Sequence, residues 1–155
     1  MRTLRSAVLA AALTPLLALT AVTAVGGGAA AEPGGKPIST AMTGDEEAPG
    51  PGDGDATGMA SFTLNQGQGV VCFDLSWTGV DGTVVAAHIH EAPVGEPGGV
   101  VVPLFSGTFG GTASAAGCVP AERELVKAIR KDPSAYYVNV HSTTFPDGAV
   151  RGQLG

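Results

Sequence analysis

Residues 136–154, YYVNVHSTTFPDGAVRGQL, decide the fold class. The first six residues alternate strictly, so as a strand they place Tyr137, Asn139 and His141 together on one face. FPDG then combines a proline with a glycine, which suit the fixed and positive φ angles of a turn. AVRGQL at 149–154 follows as the last strand. This stretch therefore predicts a strand, a turn and a returning strand.

The same pattern of short apolar runs separated by turn residues extends upstream. Five further strand candidates are ISTAM (38–42), MASFTL (59–64), VVCFDLSW (70–77), TVVAAHIH (83–90) and VVVPLF (100–105). In VVCFDLSW, alternation predicts that four large apolar side chains share one face: Val71, Phe73, Leu75 and Trp77. Small residues dominate 106–119, where no element is assigned.

One helix is predicted, over PAERELVKAIRKDP at 120–133. Pro120 suits its first turn and Pro133 stops it, while Leu125, Ala128 and Ile129 form an apolar stripe for packing. About seven or eight short strands with one short helix predict an all-β fold, a Greek-key or immunoglobulin-like β-sandwich or barrel.

The N-terminus predicts export from the cell. Arg2 and Arg5 precede an apolar run over 7–25, and small residues at 29–31 suit a signal peptidase, so residues 1–31 are interpreted as a signal peptide. Residues 32–36 then form a short tether before a single domain at 37–155. A membrane anchor is the alternative, because the apolar run approaches the roughly 20 residues that span a bilayer. Cleavage would leave a secreted, extracellular chain without a membrane span.

The composition excludes a nucleic-acid surface. The chain has 8 basic and 14 acidic residues, for a net charge of −6. Its basic residues cluster only within 123–131, interleaved with glutamates, whereas phosphate binding needs clustered lysine and arginine.

Cys72 and Cys118 are the two cysteines of the chain. In an oxidising compartment an even number favours a disulfide, which for a loop of this length contributes about 4 kcal/mol. Two buried free thiols are the alternative interpretation.

The three histidines of the chain all fall on predicted strands. His88 and His90 are two residues apart, so both imidazoles leave the same face, roughly 6 to 7 Å apart. If the strand carrying His141 is their neighbour, the three rings form a site for Zn²⁺ or Cu²⁺ with an open fourth position. Asp74, Glu91 and Asn139 are candidates to orient the rings. Alternatively, the histidines only bond to backbone carbonyls or line a polar surface.

Other motifs carry less chemistry. GDGDATG (52–58) lacks the third oxygen ligand and the distal glutamate of a calcium-binding EF-hand loop, which favours a plain acidic turn. Arg151, in the last strand, is interpreted as a structural anchor, paired with Asp74 or bonded to loop carbonyls. Anion binding is the alternative role for Arg151. No catalytic residue is assigned.

Three segments resemble the CHRD (chordin) domain family: AAHIHEAPVGEPGGVVVPL (86–104), YYVNVHSTTFPDGAVRGQL (136–154) and the opening MTGDEEAPGPGDGDATGMASFTLN (42–65). The resemblance covers about residues 37–155, and Ser142 stands where the family usually has threonine. It implies an extracellular β-sandwich domain. The growth-factor partner of the family's animal namesake does not carry over, since this chain has one copy of the domain and no cysteine-rich companion module.

HIH is also similar to a strand of copper-zinc superoxide dismutases and to the cupins. Three histidines are too few for the dismutase site, and Arg151 stands where cupins require a histidine. The main hypothesis is therefore a secreted, non-enzymatic module that binds an extracellular protein or cell-surface ligand. The second hypothesis is a copper or zinc protein, a metal-dependent oxidoreductase or hydrolase, using His88, His90 and His141.

Overall fold

The computed structural model describes residues 35–109 and 113–155. The predicted signal peptide at 1–31 and residues 32–34 of the predicted tether lie outside that range. The described residues form eight strands and one helix: β1 (Lys36–Thr43), β2 (Thr57–Asn65), β3 (Val70–Thr78), β4 (Val84–Glu91), β5 (Gly99–Phe109), β6 (Ser114–Pro120), α1 (Arg123–Lys131), β7 (Tyr136–Ser142) and β8 (Val150–Gln153). Short 3₁₀ turns lie at Gly44–Glu46 and Pro133–Ala135.

The strands pair antiparallel in one sheet with the order β5-β4-β7-β8-β1-β2-β3-β6. The sheet curls so that its two end strands approach one another. The ring of Phe105 on β5 lies 6.3 Å from the rings of Phe73 and Trp77 on β3. The predicted all-β sandwich or barrel is confirmed as a nearly closed barrel of antiparallel strands.

The core follows from side-chain alternation along each strand. On β3, the four predicted side chains are buried in one apolar cluster: Val71, Phe73, Leu75 and Trp77. On β7, Val138 and Val140 join the same cluster, so Asn139 and His141 must leave the opposite face. The core thus fixes which side chains of β7 are left for chemistry.

The predicted disulfide is present. Cys72 on β3 stands directly opposite Cys118 on β6, and their sulfurs are bonded. β6 is the last strand at one end of the sheet, and the disulfide links it covalently to its neighbour β3. The sequence predicts no strand here, because Val119 is the only β-branched residue of β6 and the strand has no aromatic one.

The helix starts later than predicted. Pro120 ends β6, and α1 begins at Arg123 after Glu122, so the placement of Pro120 in the first helical turn was wrong. Val126 and Ile129 are the buried residues of α1. In the described part of the chain, no helix has the length and hydrophobicity needed to cross a membrane.

Candidate metal centre

The neighbouring strands β4 and β7 bring the three histidines together. Ala87 and Ile89 face the core, so His88 and His90 leave the other face of β4, as His141 does on β7. The register pairs His88 with Asn139, His90 with Tyr137 and Ala86 with His141. Two adjacent strands therefore present all the imidazoles of the chain on one surface.

The ring nitrogens lie at distances suited to a shared metal ion. His88 Nδ1 is 3.0 Å from His141 Nε2, and one nitrogen from each of the three rings lies within 4.8 Å of the others. Two ligands with bonds of about 2.0–2.1 Å can stand at most about 4.2 Å apart. Metal binding therefore requires the two most widely separated nitrogens to move closer together.

Backbone carbonyls set the tautomers of two rings. His90 Nδ1 is 2.9 Å from the Gly98 oxygen, and His141 Nδ1 is 3.0 Å from the Pro146 oxygen. Because a carbonyl oxygen only accepts, both Nδ1 atoms carry hydrogen and both Nε2 atoms of the neutral rings present a lone pair. Metal-binding histidines are oriented in this way by the groups around them.

His90 Nε2 is buried and has no hydrogen-bond partner. Buried polar atoms are nearly always paired, because an unpaired one loses the hydrogen bond that water would supply. The lone pair of His90 Nε2 is thus buried without a donor.

Burial keeps the rings ready to bind. Burial, together with the nearby His141 and His90, lowers the pKa of the His88 imidazole from 6.5 to about 4. Burial also lowers the pKa of His141, although the Pro146 carbonyl and Asp147 favour the charged form. At neutral pH these two imidazoles are therefore uncharged, which is the form that binds metal.

Asn139 is the residue nearest to the three rings among those predicted to orient them. Its Oδ1 lies 2.9 Å from His141 Nε2, and its side chain is 1% exposed. Asp74 and Glu91 are exposed, on β3 and at the end of β4, and within the described residues neither bonds to a histidine ring. The backbone carbonyls of Gly98 and Pro146 orient the rings of His90 and His141 instead. Because every residue has a backbone carbonyl, the sequence could not identify these two.

Arg151 lies beside this site, 1% exposed. Its guanidinium donates to the carbonyl oxygens of Pro93 and Glu96, at 2.8 Å each, and lies 3.5 Å from the centre of the Tyr137 ring. Within the described residues it forms no salt bridge, so the expected pairing with Asp74 is absent. Arg151 therefore holds the segment 92–98, which supplies the Gly98 carbonyl to His90.

Glu47, in the acidic loop after β1, is buried, although the sequence does not distinguish it from the neighbouring acidic residues. Burial raises the pKa of Glu47 to about 7, although Arg151 and Asn139 act to lower it. Its Oε1 is buried without a hydrogen-bond partner, and a Cβ at Gly148 would collide with its carboxyl group.

Asp53, in the calcium-like motif, accepts a hydrogen bond from the Asp81 backbone N–H. The Asp53 carboxylate therefore stabilises the backbone at Asp81, in the loop after β3.

The comparisons with known proteins give a family and no closer relative. The sequence model of the CHRD domain matches residues 38–154, nearly all of the described chain. No curated protein and no solved structure matches significantly. The match includes β4, β7 and β8, the strands that carry the three histidines and Arg151. The chain belongs to the CHRD domain family.

Proposed function

We propose that this chain is an exported CHRD module that binds one copper or zinc ion through His88, His90 and His141. A single observation supports the proposal: one nitrogen from each of three imidazoles lies within 4.8 Å of the others, and His90 Nε2 is buried with no hydrogen-bond partner. A polar surface patch would leave that nitrogen to water. A metal ion would satisfy it.

The proposal places the module outside the cell. Residues 1–31 have the pattern of a signal peptide, and the CHRD match and the disulfide are consistent with an extracellular protein. The module acts by binding and has no assigned catalytic residue. A protein or cell-surface partner stays a prediction, as does a metal-dependent oxidoreductase or hydrolase activity, which would require an open coordination position.

Metal uptake tests the site directly. The exported protein, purified without a histidine tag and stripped with a chelator, is titrated with Cu²⁺ and Zn²⁺ near neutral pH. We expect uptake of about one ion per chain, because three imidazoles make one site. A variant carrying His88→Ala and His90→Ala should lose this uptake. The variant Asp74→Ala, which changes an exposed carboxylate on β3, is the matched control and should bind as the parent does.

Either of two outcomes would contradict the proposed metal site. One is no uptake of either ion by the parent protein. The other is equal uptake by the double histidine variant, provided that its circular dichroism shows the same β-sheet content. Export has a separate test: N-terminal sequencing of the exported chain should begin at Glu32, and an N-terminus at Met1 would contradict the signal peptide.

A further inference from the structure

Two short distances at the three-histidine site involve the same atom, His141 Nε2. His88 Nδ1 and His141 Nε2 are 3.0 Å apart, and Asn139 Oδ1 is 2.9 Å from the same His141 Nε2. For bonds of about 2.0–2.1 Å, ligands at right angles stand about 2.9 Å apart and tetrahedral ligands about 3.3 Å apart. In the metal-free protein the first contact is a hydrogen bond from His88 Nδ1–H to the His141 Nε2 lone pair, and both distances also match neighbouring corners of a square.

The Asn139 amide is held in this orientation from both sides. Asn139 lies on β7, opposite His88 on β4 and opposite Arg151 on β8. The Glu47 carboxyl group is a hydrogen-bond partner of its side chain. This bond acts to lower the pKa of Glu47, as expected when the amide N–H donates, so the amide nitrogen faces Glu47 and the amide oxygen faces the histidines.

This orientation brings two acceptors together. His141 uses the hydrogen on Nδ1 for the Pro146 carbonyl, so Nε2 of the neutral ring meets Asn139 Oδ1 lone pair to lone pair at 2.9 Å. Such a contact is repulsive unless a proton on Nε2 or a metal cation lies between the two atoms. An amide oxygen and an imidazole nitrogen are both ligands of divalent transition metals.

We propose that Asn139 Oδ1 is the fourth ligand of the site, and that the resulting set of three nitrogens and one oxygen, in which two neighbouring pairs have right-angle spacing, selects Cu²⁺ over Zn²⁺. The inference rests on the proposed function, since it needs the three histidines to bind metal. Cu²⁺ favours a tetragonal arrangement of N and O ligands, whereas Zn²⁺ favours a tetrahedron. With the amide in place the fourth position is filled, which suits a site that holds copper without reacting with a substrate.

Electron paramagnetic resonance of the Cu²⁺-loaded protein tests the fourth ligand. The parent should give an axial spectrum, and in D₂O its pulsed spectra should show no water deuterons bonded to copper. Asn139→Ala should admit such a water, change the copper hyperfine splitting and lower the affinity for Cu²⁺ relative to Zn²⁺ by about tenfold or more. Asn139→Asp keeps an oxygen at this position and should exclude water as the parent does.

Asn65→Ala is the matched control. It also removes a buried asparagine, one whose side chain bonds only to Gln68 in the turn between β2 and β3. Its copper spectrum should equal that of the parent. A change of the same size in Asn65→Ala as in Asn139→Ala would contradict a ligand role, because it would mark a general loss of packing.

The outcomes separate this inference from the proposed function. A water bonded to copper in the parent, or identical spectra for the parent and Asn139→Ala, overturns the fourth ligand and leaves the three-histidine site in place. No copper uptake by the parent overturns both. If Asn139→Ala does not fold, the deuteron measurement on the parent alone still decides.

Discussion

The guanidinium of Arg151 lies 3.5 Å from the centre of the Tyr137 ring, and that ring stacks on His90 at 4.7 Å with its plane tilted by only 8°. A buried cation, an aromatic ring and an imidazole thus lie in a row across β8, β7 and β4. Tyr137 also accepts a hydrogen bond from the Gly98 N–H, next to the carbonyl that orients His90. The position of His90 therefore depends on Arg151, which does not touch it.

Arg151→Ala should destabilise the metal-free protein by about 2–4 kcal/mol, because it removes charge-assisted hydrogen bonds to two loop carbonyls and a cation–π contact. Arg151→Lys keeps the charge but not the planar fork, so its loss should be intermediate. Urea unfolding measures both. Lys127→Ala is the control, since it breaks an exposed pair with Glu124 and should change the free energy of unfolding by less than about 0.5 kcal/mol. An equal effect of Arg151→Ala and Lys127→Ala would contradict the anchoring role.

Glu47 should make the metal-free protein less stable as pH rises. Its pKa is raised from 4.5 to about 7 on folding, so between these values the folded state binds more protons than the unfolded state. This contribution is fully present below pH 4.5 and is lost as pH rises through about 7. The full difference is at most about 3 kcal/mol.

Glu47→Gln should remove this dependence, since an amide does not titrate. Urea unfolding of parent and variant at about pH 5 and about pH 7.5 measures it, and the variant should gain stability relative to the parent at the higher pH. Equal differences between parent and variant at both values would refute the shift. The comparison between variants is needed because the histidines change stability in the opposite direction.

His88 should make the metal-free protein less stable as pH falls. Its pKa is lowered from 6.5 to about 4 on folding, so between these values the unfolded state binds more protons. Stability from this group is present above pH 6.5 and is lost as pH falls towards 4. His88→Gln should flatten the acid limb of a plot of unfolding free energy against pH, measured in the presence of a chelator. An unchanged acid limb would contradict the shift.

Cys72→Ser with Cys118→Ser should cost about 2–4 kcal/mol of stability, because the bond constrains the unfolded chain. Metal binding should survive this change. The bond joins β3 to β6, while the histidines lie on β4 and β7 and neither pair of strands is adjacent to the other in the sheet. Urea unfolding and copper titration of the same sample measure both effects. Loss of copper uptake by a variant that remains folded would contradict this separation.

Much of the fold could be predicted because it depends on alternation. Val71 and Leu75 on β3, and Val138 and Val140 on β7, lie on apolar faces that alternation predicts, and the structure buries both faces in the core. The strand β6 was harder, because glycine, alanine and serine give no strong period and its pairing with β3 comes from the rest of the sheet. Local sequence does not contain that information.

The three histidines could be found from the sequence pattern, but the groups that orient their rings could not. The carbonyls of Gly98 and Pro146 act through backbone atoms that every residue has. Glu47 is one of several acidic residues in its loop, and only the folded chain buries it beside Arg151. Asn139 was identified by its face on β7, whereas the direction of its amide depends on Glu47.

The placement of β7 between β4 and β8 sets the order in which the site can assemble. His88 and His141 are 53 residues apart in the chain, and β7 lies near its C-terminal end. A ribosome-bound or partly translocated chain that lacks β7 has only two of the three imidazoles and no Asn139. If the chain is exported unfolded, the complete set first exists where folding finishes, so a metal ion bound by it would come from the supply on that side of the membrane.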